Sequence, residues 1–80
     1  MAIMTSMDIR YDTDADAMFV WFRDRGPHLR ARILDDRRFV QVDDDGIAGI
    51  EFLDVSSGID LAGVPHADEI RRALEAVVPA

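Results

Sequence analysis

The run Ala17-Met18-Phe19-Val20-Trp21-Phe22 constrains this chain more than any other feature. Turn-forming segments bound it on both sides, Asp12 to Asp16 before it and Asp24 to His28, with Gly26-Pro27, after it. Six apolar residues are too few for a free-standing helix and suit a strand. Alternate residues of a strand face opposite sides, so Met18, Val20 and Phe22 line one face and Ala17, Phe19 and Trp21 the other. Both faces are therefore apolar, and each needs a cover. With 80 residues there is room for one domain, and a domain of this size buries only about 60% of the surface exposed by its unfolded chain. One covering element is the most such a chain supplies. Monomers rarely leave a large aromatic patch bare, so either the sheet curls strongly over its second face or a second chain covers it.

The remaining pattern supplies the sheet. Met7, Ile9 and Tyr11 alternate with Asp8 and Arg10, and Leu29, Ala31 and Ile33 alternate with Arg30 and Arg32, the period-two signature of strands. Phe39 to Val42 and Ile47 to Val55 are two further strands, joined by Asp43-Asp44-Asp45-Gly46. Asp-Gly between apolar runs is a hairpin signal, because glycine accepts the positive φ of a tight turn. Residues 56 to 64 read as a loop. Pro65 suits the first turn of a helix, Asp68 and Glu69 follow where the helix dipole favours acids, and Pro79 ends it. Ile70, Ala73, Leu74, Val77 and Val78 make one apolar stripe. The expected fold is α+β, a five-stranded antiparallel β-meander over 7–55 with one C-terminal helix over 65–78 packed on one face. Residues 1–6 are expected to be a disordered extension and 7–80 a single domain.

Sixteen acids oppose nine bases, all arginine, for a net charge of −7. Such a charge repels phosphate backbones and anionic lipid, so neither nucleic acid nor membrane is expected as a partner, whereas a basic protein is the natural complement. The charge is uneven: residues 23–38 carry six arginines and three aspartates, and residues 39–60 carry six acids and no base. The arginine island is read either as cross-strand pairing with nearby acids or as a contact surface rich in the residue enriched at binding hot spots. Cysteine is absent, which excludes disulfides, thiolate metal sites and a cysteine nucleophile. No signal-peptide pattern or span of about 20 apolar residues occurs, and cytoplasmic residence is the expectation.

Few residues suggest chemistry. Asp12, Asp14 and Asp16 have the alternate spacing of a calcium loop, but Ala17 and Arg23 stand where that loop needs glycine and a bidentate glutamate. Asp43 to Asp45 is a second acidic turn. His28 and His66 read as exposed loop residues, and Ser56 and Ser57 lack the context of a nucleophile. Glu51 lies mid-strand among apolar residues and must face solvent or meet a base, with Arg30, Arg32 or Arg38 as the expected partner.

Three segments taken in order, Met7-Asp8-Ile9-Arg10-Tyr11-Asp12, Ala15-Asp16-Ala17-Met18-Phe19-Val20, and Asp43-Asp44-Asp45-Gly46-Ile47-Ala48-Gly49-Ile50-Glu51-Phe52 through Ser56, resemble the small bacterial DUF2283 (YuzE-like) family. The resemblance spans about residues 7–56. It implies no established activity, and by association it implies an accessory, antitoxin-like partner of a small basic toxin or nuclease. The arginine-rich third strand and the C-terminal helix are less typical of the family pattern. The expectation is a non-enzymatic protein-binding module without cofactor or metal, forming a homodimer through an interface of Phe19, Trp21, Ala17, Arg30 and Arg32. The competing expectation is a small-ligand or divalent-ion binder using Asp12, Asp14, Asp16 or Asp43 to Asp45.

Overall fold

The computed structural model of the chain describes residues 7–77, and the side chains of residues 76 and 77 are outside the description. The expected extension over 1–6 and the expected helix end at Val78 and Pro79 lie outside the described residues. Five strands, β1 (Asp8–Asp12), β2 (Ala17–Trp21), β3 (Arg30–Ile33), β4 (Arg38–Asp43) and β5 (Gly46–Phe52), make one antiparallel sheet. A single 3-10 turn (Val55–Ser57) and helix α1 (Ala67–Val77) follow. The architecture is thus the α+β one expected from the sequence.

The strand order is β1-β2-β5-β4-β3, which departs from a simple meander at one connection. In a meander β3 would lie at the centre and β5 at an edge. That order would put the four exposed residues of β3, two of them arginines, in the middle of the sheet. Placing β5 beside β2 joins the two most apolar strands, and Val20 and Ile50 pair at full burial. Eight residues, 22–29, carry the chain past β5 and β4 to the far edge. That path spans three strand spacings, about 14 Å, well within their reach.

An ion pair fastens this crossing. Asp43, at the end of β4, has no exposed side-chain surface and takes two parallel hydrogen bonds from the Arg23 guanidinium, both 2.8 Å. The same carboxylate accepts the Gly26 N–H at 2.6 Å and the Asp45 N–H at 2.8 Å. Asp44 donates its backbone N–H to the Pro27 carbonyl at 3.1 Å, and Phe22 donates to Ala48, the extra residue where the β4–β5 register shifts. The Arg23 guanidinium and the N–H groups of Gly26 and Asp45 hold the Asp43 carboxyl well below the usual carboxylate range.

The core lies on one face: Met18, Val20 and Phe22 from β2 and its exit, Val40 from β4, Ile50 and Phe52 from β5, with Val64 and Ile70 laid over them. The cover is not the helix alone. Ile59, Leu61 and Val64 of the preceding segment complete it together with Ala67, Ile70 and Leu74. Arg38 secures that segment, donating to Asp35 Oδ2 at 2.8 Å, to the Asp60 carbonyl at 3.2 Å and to the Ala62 carbonyl. β5 stops at Phe52 rather than Val55, because Asp54 adopts a left-handed φ of 54° and turns Val55 inward onto the core. The helix begins two residues after Pro65, since His66 takes φ 57° and its carbonyl accepts the first helical bond, from the Ile70 N–H at 3.0 Å.

Replacing Asp43 with Asn should lower the thermal midpoint by several degrees at neutral pH. A depressed carboxyl pKa stabilises the fold fully above the ordinary value of about 3.9, and this is lost as pH falls through the lower folded value. The gap between wild type and Asp43→Asn, followed by circular dichroism, should therefore close as the pH drops below about 4. A gap unchanged by acid would contradict the assignment.

Candidate protein-binding face

Two cross-strand rows make up the side of the sheet opposite the core. Register places Arg10, Phe19, Glu51, Phe39 and Ile33 in one row and Asp8, Trp21, Gly49, Gln41 and Ala31 in the next. Residues paired directly across antiparallel strands share a face, and so do residues two apart on one strand. The described residues place no strand or helix over these rows, because α1 and the 3-10 turn both lie on the core side.

The face nevertheless shields part of itself. Trp21 is only 8% exposed, contrary to the expectation of a bare aromatic. Gly49 is the reason: a Cβ there would stand 2.7 Å from Trp21 Cε3 and press on the Val20 carbonyl, so only glycine lets the indole lie down across β5. Phe19 stacks beside it, ring centroids 5.5 Å apart and planes within 6°. The Arg25 guanidinium crowns the indole at 4.6 Å, a cation–π contact worth about 0.5–1 kcal/mol at an exposed site. What stays open is the other row, where Phe19 and Phe39 are half-buried and Ile33 is 73% exposed.

Glu51 sits in the middle of that row on the central strand, directly between Phe19 and Phe39. Burial pushes its carboxyl up from the ordinary range, and among the described residues no base or hydrogen bond acts against it. The expected arginine partners are elsewhere. Arg30 and Arg32 pair with Val42 and Val40, and Arg38 with Phe52, so all three belong to the core side. Arg30 reaches the His28 carbonyl and Asp44, and Arg38 is held by Asp35. The expected interface set is therefore split: Phe19, Trp21 and Ala17 share the open face, and Arg30 and Arg32 do not. Phe39, Ile33, Gln41 and Arg10 join instead, residues that only the register brings there.

The acidic turns are occupied by their own backbone. Asp12 Oδ1 accepts the N–H groups of Asp14 and Ala15 at 3.0 and 3.2 Å. Asp16, at φ 50°, accepts the Ser56 hydroxyl at 2.6 Å, the Tyr11 hydroxyl at 2.8 Å and the Ser56 N–H at 3.0 Å. The Ser56 hydroxyl and then the Tyr11 hydroxyl hold the Asp16 carboxyl below its usual range, making it a poor base and Ser56 no activated nucleophile. These residues tie the β1–β2 turn to the end of β5. Among the described residues no three His, Cys, Asp or Glu side chains converge as a metal site. His28 pairs with Asp44 at 2.6 Å, and His66 pairs with Glu69 at 2.8 Å while its ring packs on Phe22. Among the described residues no helix is long and apolar enough to cross a membrane.

The family model described as "Protein of unknown function (DUF2283)" matches residues 8–56. That segment runs from the first residue of β1 to Ser56, so it contains the whole sheet and the Tyr11–Asp16–Ser56 tie, and stops before the covering helix. No curated protein and no solved structure matches the chain.

Gly49→Ala should cost about 1–3 kcal/mol, the usual range for overpacking, and should lift the indole toward water. A lower urea midpoint with a red-shifted Trp21 emission is the expected pair of results. An unchanged emission maximum would mean that the glycine is not what seats the ring.

Proposed function

The chain belongs to the DUF2283 family of proteins of unknown function, and from its open sheet face we propose that it is a non-enzymatic protein-binding module. One observation carries the reading: Glu51 lies between Phe19 and Phe39 on an apolar face, raised by burial and given no cation by the described residues. A carboxylate in such surroundings is costly unless a base meets it. A partner that lays an apolar patch on this face and sets a basic side chain against Glu51 relieves both exposures at once. The hot spots of such contacts are buried aromatics and arginines ringed by polar groups, which is the composition of the two rows.

The net charge of −7 adds long-range attraction for a basic protein. An antitoxin-like role toward a small basic toxin or nuclease has the right charge, whereas association of the chain with itself works against like net charge and relies on its own arginines. Cytoplasmic residence belongs to the same proposal.

Co-expression with small basic proteins encoded beside its gene, followed by native mass spectrometry, tests the reading whichever occupant is found. Complexes or self-association present in the wild type should be lost in both Phe39→Asp and Glu51→Lys, with circular dichroism confirming that the variants fold. Complexes that survive both substitutions, or no association of any kind, would overturn it.

A further inference from the structure

Charge and size alternate between the two rows of the open face in a way that makes the face complementary to itself. Across each of the five strands, a residue of the first row stands two positions from a residue of the second: Arg10 with Asp8, Phe19 with Trp21, Glu51 with Gly49, Phe39 with Gln41, Ile33 with Ala31. A two-fold axis lying in the interface, across the strands and midway between the rows, exchanges the rows and keeps each strand over its own copy. With the sheets aligned, arginine stands over aspartate, phenylalanine over the indole with its Arg25 cap, and the large Ile33 over the small Ala31. Facing layers that alternate large and small residues interdigitate without voids.

The centre fits in the same way. Glu51 comes over Gly49 of the partner subunit, where the partner's Trp21 ring lies down across the backbone. Arg25 of the partner subunit stands there too, because the Trp21 ring that it crowns lies across Gly49. The cation that Glu51 lacks among the described residues is thus supplied twice, once by each copy.

Other placements are worse. An axis along the Glu51 row would set each Glu51 against itself, and one running along β2 would overlap only β1, β2 and β5. Facing sheets pack about 10 Å apart with strands inclined by roughly 30°, an angle reached by tilting the axis about 15°. At the centre this moves contacts by little, whereas at the edge strands, two spacings out, it shifts the copies by about 5 Å along the strand, so β2, β5 and β4 carry the pairing. Arg10 already pairs with Asp8 of its own strand at 3.0 Å with both groups exposed, a contact of small worth that it can share with the second copy.

We infer that a second copy of this chain occupies the open face, related by a two-fold axis across the strands, so that Glu51 of each protomer meets Arg25 of the other. This rests on the protein-binding reading above and names its partner. An isologous contact requires every pairing to occur twice, and this pattern satisfies that requirement.

In sedimentation the wild type should be a dimer, Glu51→Arg should weaken it by about tenfold or more, and adding Arg25→Glu should recover most of that loss. A wild type that stays monomeric, or a double variant no better than Glu51→Arg, would each overturn the inference. A monomeric wild type whose complex with a basic protein is still lost in Phe39→Asp would leave the binding reading standing and remove only the second copy.

Discussion

β2 demands a neighbour as apolar as itself, and the rest of the structure follows from β5 taking that place. Val20 and Ile50 then reach full burial side by side, and β3 is displaced to an edge where its arginines stay in water. The displacement needs a crossing segment, and the crossing needs an anchor. Asp43 provides it by accepting four hydrogen bonds from Arg23, Gly26 and Asp45 while losing all its exposed side-chain surface. A buried charge is tolerated when it is paired and its lone pairs are filled, and here both conditions are met.

Glu51 is the counterpart that lacks both. The two acids lie on neighbouring strands of one sheet, yet Asp43 is held well below the carboxylate range by donors and Glu51 is pushed upward by burial. The difference marks Asp43 as a structural group and leaves Glu51 without a base among the described residues. Most of the arginine island neutralises acids within the chain, with Arg23 on Asp43, Arg30 on Asp44, Arg37 on Asp54 and Arg38 on Asp35. Arg25 lies against the Trp21 ring instead, which leaves it facing outward from the same surface as Glu51.

Hairpin turns, strand positions and the amphipathic helix were legible in the sequence because they depend on local chemistry: glycine at a positive φ, alternation at period two, an acidic first turn. The residues quoted for the DUF2283 resemblance were legible as a pattern, but their structural role was not. Tyr11, Asp16 and Ser56 meet only because the end of β5 comes to lie beside the β1–β2 turn. Likewise, the segment from 58 to 64 reads as a loop by composition, and its Ile59, Leu61 and Val64 become half of the core's cover once Arg38 draws it in.

By itself the sequence determined that β2 is apolar on both faces, that one element could cover only one of them, and that an acid sits alone among apolar residues at position 51. These are properties of neighbouring residues and of composition. Only the tertiary structure decided which strands flank β2, that Arg30 and Arg32 turn to the core side while Phe39 and Ile33 join the open face, and that Gly49 lets Trp21 fold down over the sheet. Strand order and register set those outcomes, and both are won by contacts between residues far apart in the chain, where a shift of one position would move every side chain to the opposite face.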